Sequence, residues 1–200
     1  MKQVFSMVLG VALAVGCVTH ADASGRAWAG GARVRANGGV AAGHAAGFRG
    51  PDGAAGIHGR RTVSDGQGNV TTASAGAWRG AGGGSATRAG QTTRHADGSA
   101  EHQSGFSASG PNGGQLTSQG SANRNADGSG QFTRTTQGNS AQGGSYSGST
   151  TGATGQGITH TAQATGAQGN SYAGQTTVSK DGITHTGSCT NAAGQTIACP

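Results

Sequence analysis

Large apolar side chains crowd the first eighteen residues and are scattered after them. Val4 to Val18 is a nearly unbroken apolar run, too short to span a bilayer as a helix. Lys2 gives it a positive start, and Ala21-Asp22-Ala23 ends it with a small-x-small pattern. Residues 1–23 therefore read as an export signal, with the mature chain starting at Ser24. Ala14-Val15-Gly16-Cys17 supplies a rival processing point. It resembles a bacterial lipobox, in which the cysteine is lipidated, although Ala14 stands where that motif prefers leucine. No later segment is apolar enough to cross a membrane as a helix.

From Ser24 to Arg61 the apolar residues Trp28, Val34, Val40, Phe48 and Ile57 follow neither a period of two nor one of 3.6. Alanine there favours helix, but glycine at every third or fourth place breaks it. Residues 24–61 read as a disordered Gly/Ala/Arg-rich arm.

From Thr62 onward the texture is Thr, Ser, Gln and Asn punctuated by two turn marks. Asp65-Gly66, Asp97-Gly98, Asp127-Gly128 and Asp181-Gly182 carry the first, with Gln156-Gly157 in the place of a further copy. Gly83-Gly84, Gly113-Gly114, Gly143-Gly144, Gly169-Asn170 and Gly194-Gln195 carry the second. Each mark returns after about 25 to 32 residues, the size of a structural repeat. Asn125-Ala126-Asp127-Gly128-Ser129 suits a type I turn closed by a left-handed glycine. Strands of about eight to ten residues should fill the spaces, rich in β-favouring pairs such as Thr71-Thr72, Thr135-Thr136 and Thr176-Thr177.

Residues 62–200 are thus expected to be a β-repeat region of five units and about ten short strands. Two all-β architectures fit: an antiparallel meander, or a β-solenoid with two strands per coil. In a solenoid Leu116, Tyr146, Tyr172 and Ile197 would stack as one rail; in a meander they would sit on alternate strands. Composition adds a third outcome. Glycine is 42 of 200 residues, and Leu, Ile, Val and Phe number only 13 after Ala23, so a largely disordered chain is the alternative. A side-chain core is excluded; only saturated backbone pairing could order this chain.

The formal net charge of +6 is uneven. Arg26, Arg33, Arg35, Arg49, Arg60 and Arg61 face Asp52 alone in the arm, while the remainder is nearly balanced. These six arginines are the candidate polyanion-binding residues. Their partners outside the cytoplasm would be lipopolysaccharide, acidic polysaccharide or extracellular DNA.

Other chemistry is sparsely represented. Cys189 and Cys199 should form a disulfide in an oxidising compartment and pin the last unit. Closing so short a loop contributes about 2–3 kcal/mol on the chain-entropy model. His160 and His185 recur within two copies of Ile-Thr-His-Thr, but no thiol or carboxylate accompanies them, so a metal site is not expected. One Asp per unit cannot build a calcium cage. No Gly-x-Ser-x-Gly elbow occurs, and Glu101 is the only glutamate. No catalytic residue, cofactor or small-molecule substrate is expected.

In texture, residues 62–200 resemble Gly/Ser/Thr-rich exported repeat proteins of bacteria. The resemblance rests on the Asp-Gly turn spacing and carries no functional residues across. The expected function is a non-enzymatic structural or surface role in the cell envelope, with self-association. The alternative is a periplasmic or secreted binding module for anionic polymers, acting through the arm. Intact-mass analysis of the protein from its host should give a chain starting at Ser24; a lipidated chain starting at Cys17 would show the other processing route.

Overall fold

The computed structural model describes residues 25–199 and, in backbone only, residues 18–21. They form one antiparallel sheet of fourteen strands whose spatial order is their chain order. The strands are β1 (Val18–Ala21), β2 (Arg26–Val34), β3 (Val40–Arg49), β4 (Ala55–Ser64), β5 (Val70–Arg79), β6 (Ser85–Arg94) and β7 (Ala100–Ser109). There follow β8 (Gln115–Arg124), β9 (Gly130–Asn139), β10 (Ser145–Ala153), β11 (Gly157–Thr165), β12 (Ser171–Ser179), β13 (Gly182–Thr190) and β14 (Thr196–Ile197). The described residues contain no helix. The fold is the all-β meander rather than the solenoid. Leu116, Tyr146, Tyr172 and Ile197 lie on β8, β10, β12 and β14, each separated from the next by one strand.

One turn type generates most of this sheet. His95 N donates to Ser99 O at 2.9 Å, and Gly98 N donates back to His95 O at 3.0 Å. Gly98 has φ 86°, a conformation that costs a residue with a Cβ but not glycine. This is a type I turn followed by a left-handed residue, which suits the twist of a hairpin. The Gly-Gly marks form the same turn: Gly110 N to Gly114 O is 2.7 Å, and Gly113 has φ 91°. At Asp97-Gly98 and Asp127-Gly128 the first sequence mark is therefore the same element as the second, seen at the opposite edge of the sheet, while Asp65-Gly66, Gln156-Gly157 and Asp181-Gly182 sit in turns of other forms. Left-handed glycines recur at 38, 53, 68, 83, 98, 113, 128 and 143. The repeating unit in this span is one strand plus one turn, half the length that the sequence marks suggest.

Two members of that series, Gly38 and Gly53, lie in the segment expected to be a disordered arm. Residues 26–34, 40–49 and 55–61 are instead in β2, β3 and β4, fully paired with their neighbours. Their strands are Ala/Gly-rich and lack the threonine pairs that mark the later ones. The turn periodicity nevertheless continues through them, and backbone pairing needs no large side chain. Ten strands, β5 to β14, follow Thr62, the number expected. Cys17 and the junction after Ala23 lie outside the described residues. β1 falls inside the segment read as an export signal, so cleavage there would leave β2 as the sheet edge.

Register fixes which side chains share a face. From β2 to β12, even-numbered residues oppose even-numbered residues at every strand pair. Directly opposed residues point the same way, so even positions form one face. The two-residue turn Lys180-Asp181 shifts the numbering once, and odd positions continue that face on β13. Trp28, Phe48, Trp78, Phe106, Phe132, Tyr146 and Tyr172 all lie on it. The opposite face is built largely of Ala, Gly, Ser, Thr and Gln.

The sheet is a single layer without an interior. No described side chain is fully buried, and the most covered apolar residues are Ala41 and Cys189 at 8% and 6% exposure. Aromatic rings instead lie over glycines of their own layer. A Cβ at Gly56 would stand 2.5 Å from Phe48 Cε1 and 2.9 Å from Trp78 Cδ1, the two aromatics that flank it across β3–β4–β5. Gly152 makes the same room for Phe132, and Gly174 for Tyr172. At the far end, Cys189 and Cys199 form a disulfide with Cα atoms 5.3 Å apart. It ties the two-residue β14 to β13, where ladder hydrogen bonds are fewest.

Gly56→Val should lift both rings off the sheet. The expected outcome is a loss of about 1–3 kcal/mol, as for overpacking elsewhere, read as a lower urea midpoint. A red shift of tryptophan emission should accompany it.

Candidate functional site

The six arginines expected to act together are not brought together. Arg26 and Arg60 project from the aromatic face, Arg33, Arg49 and Arg61 from the opposite one, and Arg35 sits in a turn. Alternation along a strand makes this unavoidable for adjacent residues such as Arg60 and Arg61.

A different cationic set emerges from the pairing. Arg26, Arg60, Arg88, Arg94, Arg124 and Arg134 all share the aromatic face, as do His44, His58, His102, His160 and His185. Among the described residues no acidic side chain lies on that face. Glu101 is on the opposite side, between Thr93 and Asn123, and Asp52, Asp65, Asp97, Asp127 and Asp181 are all in turns. The one ion pair among the described residues joins Lys180 to Asp181 at 2.6 Å, adjacent in a turn. Arg88 lies 5.0 Å from the ring centroid of Trp78, a cation–π distance. Trp28 and Phe48 are 49% and 47% exposed, so rings and cations are both presented outward. This partition escapes a reading of local composition, because it needs the register of every hairpin. Its trace in the sequence is that every strand aromatic before the last turn carries an even number.

The histidines are held by threonines rather than gathered around a centre. Thr150 Oγ1 and His160 Nδ1 are 2.8 Å apart, and Thr176 Oγ1 and His185 Nδ1 are 2.9 Å apart. Thr92 and His102 repeat the pair at 2.8 Å. His160 and His185 share a face but are separated by the whole of β12, with Thr176 in line between them. His44 and His58 make an edge-to-face ring contact at 6.4 Å between centroids. Among the described residues no group of three or more His, Cys, Asp or Glu is arranged to hold a metal.

The turn aspartates serve their own turns. Asp97 Oδ1 accepts from Ser99 N at 2.9 Å and from Ser99 Oγ at 2.7 Å; Asp127 accepts from Ser129 N and Oγ at 2.8 and 2.6 Å. Asp65 accepts from Asn69 Nδ2 at 2.5 Å and from Gln67 N at 2.7 Å. These donors hold the three carboxyls below their ordinary value of 3.8, Asp65 chiefly through Asn69, Asp97 through Ser99 and Asp127 through Ser129. Asp65, Asp97, Asp127 and Asp181 all fall on one edge of the sheet, as the meander requires. The first three belong to successive hairpins, each two strand spacings or about 10 Å from the next, too far for their carboxyls to share a proton. Asparagines stitch neighbouring turns along an edge: Asn69 Oδ1 accepts from Ala96 N at 3.0 Å, and Asn170 Oδ1 from Ala192 N at 3.1 Å.

A shallow depression of about 410 Å³ lies on the face opposite the aromatics, where the short turn 154–156 joins β10 to β11. Ser121, Asn123, Gln131, Thr133, Thr151 and Thr159 contribute side chains to its floor, and nothing titratable lines it. It offers hydrogen-bonding groups but no acid, base or activated nucleophile. No helix among the described residues is long and apolar enough to cross a membrane. Comparison of the chain with family models, with curated proteins and with solved structures found no match.

The depressed carboxyls give the turns a pH dependence of definite sign. A group whose pKa is lowered on folding contributes stability that is complete above its unfolded value and is lost as pH falls through the folded one. Stability should therefore be level near neutrality and fall as pH drops below about 4, the ordinary range of Asp. Thermal midpoints from pH 6 to pH 2 should show this, and the Asp97→Ala, Asp127→Ala double variant should respond less steeply to acid than the parent.

Proposed function

We propose that the chain is an exported, non-catalytic β-sheet protein with a structural or surface role in the bacterial envelope or matrix, and that it self-associates there. The observation that carries this reading is the single-layer sheet. Fourteen strands satisfy one another's backbones, yet neither face is covered. Covering exposed apolar side chains such as Phe48 and Ile57 would add favourable burial that the isolated layer lacks. The open edge of β2, left bare if the signal is removed, is a template for a further strand. The Cys189–Cys199 disulfide is compatible with an oxidising compartment outside the cytoplasm.

A second reading, binding of an anionic polymer, is favoured by one specific observation: among the described residues the aromatic face carries arginines and histidines and no acid. Stacking rings interleaved with cations suit a flexible polyanion. The surface is the face of the whole sheet rather than an N-terminal arm. The two readings are compatible, because an anionic polymer would neutralise the charge that otherwise keeps two such faces apart.

The mature chain should give a β-type circular dichroism spectrum and sediment as assemblies that grow with concentration. A monomer with a random-coil spectrum would overturn the structural reading. Binding to heparin or single-stranded DNA should fall steeply with salt. It should weaken in the Arg60→Ala, Arg88→Ala, Arg134→Ala variant but not in the Arg33→Ala, Arg49→Ala, Arg61→Ala variant. Equal loss in both would remove the case for the aromatic face.

A further inference from the structure

The face opposite the aromatics changes character along the sheet. Over β2 to β6 it is mostly alanine and glycine with four arginines; over β9 to β13 it becomes a two-dimensional array of hydroxyls. One row runs Thr133, Thr151, Thr159, Thr177, Thr184, each directly opposed to the next. The adjacent row on the same face runs Thr135, Ser149, Thr161, Gln175, Thr186. Thr-x-Thr therefore stands on β9, β11 and β13, and the strands between complete the grid. Thr133, Thr135, Thr151, Thr161, Thr184 and Thr186 are exposed, and Thr159 and Thr177 half-exposed.

We propose that this threonine face of β9 to β13 binds the surface of ice. Three properties point to that ligand. The first is spacing. Neighbouring strands hold equivalent residues about 4.8 Å apart, and alternate residues along a strand are about 6.7 Å apart. Both distances are close to the principal oxygen repeats of hexagonal ice, and the uninterrupted register preserves them over five strands. The second is stiffness. Threonine is β-branched with few χ1 options in a strand, so the grid of methyls and hydroxyls loses little entropy on meeting a solid. Waters bridging fixed hydroxyls are already partly ordered, which lets them merge with a lattice.

The third property is charge. The face of β9 to β13 holds no ionisable side chain at any position of those strands. An ice surface is neutral, and a charged side chain would have to lose its hydration shell against it. The contrast with the opposite face, where Arg134, His160 and His185 project from the same strands, shows the separation to be a property of the face and not of the segment. Within the two rows one side-chain hydrogen bond forms, from Gln175 Nε2 to Thr177 Oγ1 at 3.5 Å, and the Ser171–Thr190 hydroxyl pair at 2.6 Å lies outside them. The hydrogen bonds that tie Thr150 and Thr176 to histidines belong to the other face.

The test is the growth of single ice crystals just below the melting point, with the purified chain in solution, together with recrystallisation of polycrystalline ice. Faceted crystals and slowed recrystallisation are expected. Thr159→Tyr raises a bulky ring at the centre of the grid and should abolish most of the effect. Thr150→Tyr, one strand away on the opposite face, should leave it unchanged. Circular dichroism checks that both variants keep the sheet; if Thr159→Tyr does not, Thr161→Lys replaces it. Rounded crystals that grow unhindered in the parent protein, or equal loss from the two faces, would overturn the proposal. So would retention on crystalline cellulose or chitin without any effect on ice, which would assign the face to a polysaccharide lattice. Because growth inhibition can be read from dispersed protein, failure here would leave the self-association experiment untouched, and the reverse holds too.

Discussion

Backbone pairing carries this molecule. A sheet in which no described side chain is fully buried draws little from the hydrophobic effect, so its order depends on ladder hydrogen bonds formed without interruption. That condition is met by a turn that reverses the chain in five residues and returns it in register. The left-handed glycine is the element that makes the turn possible, since a Cβ at φ near 85° would be strained. Side chains of Asp97, Asp127 and Asn69 secure the turns and join them along the edge. The Cys189–Cys199 bridge secures the end where β14 contributes only two residues.

Register then decides everything about the faces. Strands that pair even with even place all their large rings on one side, and a slip by a single residue would send them to the other. The change of turn length at Lys180-Asp181 is absorbed without such an exchange, since His185 remains on the face of His160. Glycines opposite or beside the rings let them lie down on the layer, giving it side-chain packing within a single sheet. The consequence is a two-sided object: aromatic and cationic on one side, small, polar and, over its later strands, uncharged on the other. Two surfaces of such different chemistry can serve different partners without competing.

Much of this is legible in the sequence. The strand lengths, the number of strands after Thr62, the left-handed glycine in Asn125-Ala126-Asp127-Gly128-Ser129 and the terminal disulfide all follow from local rules. The strands of residues 26–61 are hard to read from the sequence for a physical reason. They are rich in alanine and glycine, whose weak β propensity hides the strands, while Gly38 and Gly53 continue the turn series in plain view. The six N-terminal arginines divide between the two faces because adjacent residues of a strand point to opposite sides.

The sequence by itself determined that the chain has turns at regular intervals, β-favouring stretches between them and too few apolar residues for a core. These are properties of single residues and their immediate neighbours, set by φ preference, β-branching and side-chain volume. Only the tertiary structure decided that most copies of the two turn marks are one turn, that the strands form a meander in a single layer, and that the rings sort onto one face and the uncharged threonine array of β9 to β13 onto the other. Those outcomes depend on how each strand is registered against the next. Register is a relation between distant residues, accumulated over every hairpin, and no window of sequence contains it.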